Sequence, residues 1–171
     1  MFVMAAVGTI KGLVTPRWGY VKSVVSQLTD RYSVPPIPAL EIAEGSGVDV
    51  VFANFGSASD AVAGFCDFPS HTLYVNADDI TERQTFTIAH ELGHWLLHRK
   101  YYDAHPEEYN SFPRMQFVEQ NDAFEKEANF FAANLLVPLR LLKPVRNSSV
   151  TDLARAFGVS RTMMEYRLKN V

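Results

Sequence analysis

Two segments of helical period carry polar, ion-binding side chains beside an apolar stripe, and together they limit what this chain can fold into. In residues 80–99, Phe86, Ile88, Ala89, Leu92, Trp95 and Leu96 supply a packing surface that also holds His90, Glu91 and His94. At 3.6 residues per turn, two histidines four apart lie one turn above each other, so both imidazoles can reach one ion, with Glu91 beside them. In residues 119–136, Phe124, Ala128, Phe131 and Leu135 form the apolar stripe, while Glu125 and Asn129 share another face. A fold that buries both stripes brings the two polar faces toward one cleft.

The sequence His90-Glu91-Leu92-Gly93-His94 is an HExxH motif, the spacing used by zinc peptidases. A catalytic zinc needs a third protein ligand and an open position for water. The extended form of the motif would place a glycine and a further histidine downstream, where Leu97 and Lys100 stand. The second helix therefore supplies the third ligand. Glu125 makes a two-histidine, one-carboxylate site for one Zn2+ per chain, and Asn129 can hydrogen-bond one of its ligands. Glu127 competes for the role but lies about 200° from Glu125 around the helix, which favours Glu125.

With zinc lowering the pKa of a bound water, Glu91 is positioned as the catalytic base. A purely structural zinc would add a fourth protein ligand. His98 continues the face of His90 and His94 but is a full turn on, about 6 Å along the axis. It is expected instead to hydrogen-bond at the helix C-terminus, where a partly cationic ring is favoured. His105, Tyr101, Tyr102 and Tyr109 are candidates for stabilising the tetrahedral intermediate.

The rest of the chain reads as an α+β fold. Residues 17–31 have amphipathic helical spacing, prolines 35, 36 and 38 end that helix, and a short helix follows to Gly45. Residues 48–55, 63–68 and 72–76 read as strands of a small, mainly antiparallel three-stranded sheet, the last two joined as a hairpin. If 72–76 were an edge, it could pair with an extended substrate. Asp79 and Glu82 have capping-box spacing at the start of the long helix. Residues 101–117 read as irregular. Two short helices, 151–157 and 160–169, close the chain as a helix-turn-helix-like pair, with Arg161, Arg167 and Lys169 expected outside.

The 171 residues, 47% hydrophobic and 20% charged, suit one globular domain, which the HExxH motif makes a metallopeptidase domain by expectation. It would comprise an N-terminal helical extension (1–37), a catalytic core (38–138) and a basic helical pair (139–171). No apolar run approaches the roughly 20 residues needed to cross a bilayer. Met1–Val14 lacks a basic leader and reads as structure. The lone Cys66 cannot form an internal disulfide and reads as a small buried hydrophobe, which favours the cytoplasm. Residues 139–171 hold seven basic and two acidic side chains, so this stretch is +5 and the remainder −8. That split permits DNA contact through 150–169, but Met163 and Met164 stand where a recognition helix is more often polar, so completion of the core, or docking of the substrate repressor, is preferred.

Phe86-Thr-Ile-Ala-His-Glu-Leu-Gly-His94, then Glu125-x-x-Ala-Asn-x-Phe-Ala-Ala133 and Leu135-Leu-Val-Pro138, resemble the ImmA/IrrE family of zinc metallopeptidases. The likeness extends over about residues 38–168. It implies a gluzincin-like, zincin-type site with His90, His94 and Glu125 as ligands and Glu91 as base. It also implies site-specific cleavage of a helix-turn-helix repressor or antitoxin-like protein, as in control of mobile elements or stress regulons. The alternative from another class is a non-catalytic regulator that keeps zinc for structure and binds DNA or a partner protein through its C-terminal helices.

Overall fold

The computed structural model describes residue 13, residues 15–106, 111–115 and 123–171. The start of the chain, Tyr109, and the first residues of the second motif helix as expected from the sequence lie outside them. Helices α1 (Trp18–Thr29) and α2 (Ala39–Gly45) precede the strands β1 (Asp49–Ala53), β2 (Val62–Asp67) and β3 (Thr72–Asn76). The long helix α3 (Thr81–Ala104) follows, then β4 (Ser111–Met115) and α4 (Ala123–Leu136). A short α5 (Leu139–Leu142) leads into α6 (Val150–Phe157) and α7 (Arg161–Leu168).

The fold is α+β, as expected, and its sheet has one strand more than the three anticipated, in the order β1-β3-β2-β4. The β2–β3 hairpin is antiparallel and β4 extends it antiparallel along β2, while β1 runs parallel to β3. β4 falls where residues 101–117 were expected to be irregular. Its Pro113 pairs opposite Phe65 on an edge strand, where a missing N–H costs little. β3 is therefore central and paired on both sides, which overturns the edge-strand reading: an incoming peptide finds no free backbone there. Four of its five residues are buried, as a central strand requires.

Gly64, at the β2 irregularity, lets the sheet approach α3: a Cβ there would collide with the Tyr74 carbonyl oxygen and the Thr87 methyl. At the end of β3 the fully buried Asn76 donates to the carbonyls of Ser59 and Val62 and accepts from the Asp78 N–H, and its own carbonyl accepts from Gln84. A buried amide so satisfied fixes the corner from which α3 starts. The expected capping box is absent, since α3 begins after Ile80 with no side-chain cap, and Asp79 pairs with Arg83 instead.

α3 packs against both the sheet and α4, and α1 packs on α4. One apolar core runs from Val21 and Val25 through Leu73, Leu92 and Phe131 to Leu153, Phe157 and Met164. The C-terminal pair thus belongs to that core, as preferred on sequence grounds. Arg167 departs from expectation: it is buried, donating to the Val137 carbonyl and to Asn134 Oδ1, and burial pulls its pKa down from the usual value.

Candidate metal centre

α3 is held by burial almost all round its middle. Trp95 packs on Phe68 and donates its indole N–H to the Ser46 carbonyl, Leu92 and Leu97 enter the core, and Gly93 faces α4. On the side toward α4 the polar residues come together. His90, His94 and Glu125 are all buried, and one ligand atom from each lies within 4.8 Å of the others. The Glu125 carboxylate stands 3.2 Å from His90 Nε2 and 3.0 Å from His94 Nε2, and the two Nε2 atoms are 3.2 Å apart. Burial pushes the Glu125 carboxyl upward, but the imidazoles of His94 and His90 outweigh it and hold it well below the ordinary carboxylate range.

The far nitrogens of both rings are engaged. Asn129, one turn after Glu125 on α4, puts Oδ1 2.9 Å from His90 Nδ1, where it accepts the ring proton. His94 Nδ1 lies 2.8 Å from His98 Nδ1. With both Nδ1 atoms held from behind, both Nε2 atoms face Glu125.

His98 is not at the helix terminus as expected, because α3 continues six residues further, to Ala104. It is fully buried, its Nε2 stands 3.0 Å from Glu127 Oε2, and its ring meets Phe124 edge-on. Burial outweighs the attraction of Glu127 and lowers its pKa to about 3, so the ring is neutral, not cationic. Glu127 is likewise buried. Burial raises its pKa, but hydrogen bonds from His98 and Arg17 bring it down to about 2. Arg17, just before α1, donates to Glu127 through its backbone N–H (2.6 Å), Nε (3.0 Å) and Nη2 (2.7 Å). Glu125 and Glu127 therefore serve opposite faces of α4, one toward His90 and His94 and the other toward His98 and Arg17. Arg17 was not anticipated, because nothing in the local pattern around residue 17 marks it.

The donor set, two imidazole nitrogens and one carboxylate oxygen, suits a borderline ion such as zinc and leaves room for a further ligand. Glu91 follows His90 on α3 and is fully buried. The other sequence candidates sit further along: Tyr101 packs edge-on against Phe124, Tyr102 stacks on Phe68, and the His105 N–H donates to the carbonyls of Tyr101 and Tyr102. Cys66 is buried in the core, and burial pushes its thiol well above its usual pKa. A cleft of about 720 Å³ opens from Asn129 along Phe86, Phe130, Trp18, Met163 and Tyr166. No described helix is long and apolar enough to cross a membrane.

Known proteins resemble this chain over half or more of its length. The chain is 27% identical over 143 residues, 81% of its length and 83% of the relative's, to immunity region protein 2 of Bacillus phage phi105. It is 26% identical over 102 residues to Metallopeptidase ImmA of Bacillus subtilis, covering 57% of this chain and 56% of that one. A Mycobacterium tuberculosis transcriptional regulator shares the fold at a TM-score of 0.58 and 17% identity; the match takes in 87% of this chain and 46% of that one. The family model for the IrrE N-terminal-like domain matches residues 43–169, which include both motif helices and the closing pair, and the chain belongs to this peptidase family.

Proposed function

We propose that the protein is a zinc-dependent endopeptidase that cuts a helix-turn-helix repressor or a related antitoxin-like protein. The observation that carries the reading is the convergence of His90, His94 and Glu125, with Glu91 next to the first of them on the same helix. Among the described residues this group has three donors, which favours a site open to substrate over a closed structural one.

Bound there, zinc supplies Lewis acidity toward water and toward the scissile carbonyl. Glu91 Oε takes the proton of the attacking water and returns it to the departing amine nitrogen. Asn129 keeps His90 oriented, and burial of all three donors excludes competing water. Stabilisation of the developing oxyanion is assigned to the last turn of α3 and the residues after it, which carry Tyr101, Tyr102, His105 and Tyr109; the Tyr101 ring reaches Phe124 and through it His98. We assign the substrate's approach to the cleft of about 720 Å³ lined by Asn129, the residue that holds His90 from behind. Relatives named for a phage immunity region and as a metallopeptidase support a repressor-type substrate.

The test is metal analysis of the purified protein followed by incubation with a repressor encoded beside its gene. One zinc per chain and a single cut seen by mass spectrometry are expected, with Glu91→Gln retaining zinc and losing cleavage by a factor of about 10²–10⁴. A Glu91→Gln variant as effective as wild type would sink the peptidase reading. It would favour the non-catalytic alternative, whose DNA binding through residues 150–169 would weaken with salt.

A further inference from the structure

We propose that His98, Glu127 and Arg17 are positioning residues for the metal centre, acting in series through His94. The proposal rests on the metal-centre reading above and concerns what fixes His94.

Only one proton fits between the two Nδ1 atoms of His94 and His98, 2.8 Å apart, so one ring must donate and the other accept. His94 Nε2 faces His90 Nε2 and the Glu125 carboxylate, and as a ligand it presents a lone pair. The His94 proton is then on Nδ1 and is donated to His98. His98 must keep its own proton on Nε2, where Glu127 Oε2 accepts it at 3.0 Å. Glu127 is held in turn by Arg17, and Arg17 Nη2 also reaches the Leu97 carbonyl on α3. Every member has one role compatible with its neighbours, so the order of donors and acceptors from Arg17 to His94 is fixed by the chain's own residues. Most metal-binding histidines lean directly on a carboxylate or a carbonyl. Here a second histidine is interposed, and the carboxylate behind it is anchored by Arg17, the residue just before α1. Docking of α1 onto α4 and the orientation of a metal donor on α3 are thereby one structural event.

Two measurements test this. The first is long-range 1H–15N NMR of histidine-labelled, zinc-loaded wild-type protein. The expected result is a proton on Nδ1 of His94 and on Nε2 of a neutral His98; a proton on His98 Nδ1, or zinc bound through His94 Nδ1, overturns the chain. This arm needs no variant. The second is the zinc dissociation constant, by chelator competition, of His98→Phe and Glu127→Gln, with the unfolding midpoint of each metal-free protein measured in parallel. His98→Phe keeps a ring and removes both nitrogens, and should weaken zinc 10–100-fold. Glu127→Gln keeps an oxygen that can accept from His98 and should weaken it less. Zinc affinity unchanged in both variants, whatever their midpoints, overturns the proposal and leaves the peptidase reading standing. Failure of the wild type to bind zinc at all overturns the metal-centre reading itself.

Discussion

Gly93 of α3 lies so close to Phe131 of α4 that a Cβ on the glycine would come within 3.1 Å of the ring and 3.3 Å of the Ala128 Cα. These helices carry the histidines and Glu125, so the approach of their backbones sets the span of the site. Gly93→Val should cost about 1–3 kcal/mol through overpacking. For a chain of this size that corresponds to a fall of several degrees in Tm, read by calorimetry. Zinc affinity should fall with it, because α4 moves away from the imidazoles. Unchanged Tm and affinity would show that the helices have slack at this crossing.

Metal removal should separate fold from function. Zinc binds the folded state, so at a hundredfold excess over its Kd it adds about 2.7 kcal/mol to stability. Treatment with a chelator should lower the unfolding midpoint accordingly and abolish cleavage, with both restored by zinc. Glu125→Ala should remove the zinc-dependent part of the stability and leave the metal-free midpoint little lower than that of wild type. A metal-free midpoint equal to the loaded one would exclude a bound ion.

Acid should weaken the metal-free protein in a defined window. His98 is neutral in the fold, with a pKa of about 3 against an ordinary 6.5, so the unfolded chain binds its proton first as pH falls. Stability is therefore complete above pH 6.5 and drains toward pH 3, by up to about 1.4 kcal/mol per unit. Glu127, at about 2 against 4.5, adds a loss in the same direction below pH 4.5. Denaturant titrations between pH 7 and 5 should show the loss in wild type and a shallower one in His98→Phe. Equal slopes would place the titrating group elsewhere.

The basic tail should divide into structural and dispensable cations. Arg167 hydrogen-bonds the Val137 carbonyl from within the core, and Arg167→Ala leaves that carbonyl without its partner, at a cost of about 1–3 kcal/mol. Arg161 pairs with Glu165 at the surface, so Arg161→Ala should change stability by less than about 0.5 kcal/mol. Chemical denaturation of the two variants distinguishes them, and equal losses would contradict the packing described here.

Cys66 should resist alkylation at pH 8 in the native protein and react once guanidinium unfolds it, since it is fully buried and its thiol stays protonated. Mass spectrometry of iodoacetamide-treated samples reads this directly. Rapid native labelling would mean that β2 opens easily.

What could be read from the residues, and what could not, follows from the range of the interactions. His90, His94, Glu125 and Asn129 were legible because the helical repeat puts each pair on one face, and two such faces around apolar stripes have few ways to meet. The neighbours of His98 were not legible. Its partner Glu127 is 29 residues away and Arg17 reaches Glu127 over 110 residues, distances at which no periodicity operates. A signal was present in part: α4 holds two carboxylates about 200° apart on a helix otherwise rich in apolar residues, and a buried carboxylate on either face demands a partner. β4 was hidden because Pro113 argues against a strand, and the edge position that makes it tolerable depends on the whole sheet. Arg167 was misplaced because a positive charge in a short amphipathic helix is ordinarily solvated, and its two acceptors lie on α4 and just beyond its end.

The cleft beside Asn129 takes one wall from Trp18 and another from Met163 and Tyr166, so it joins residues from opposite ends of the described fold. These walls come from α1, which precedes the metal-centre helices in the chain, and from α7, which follows them, so the groove is complete only when both have docked. Loosening α7 would therefore reshape this groove without touching His90, His94 or Glu125, none of which lines it.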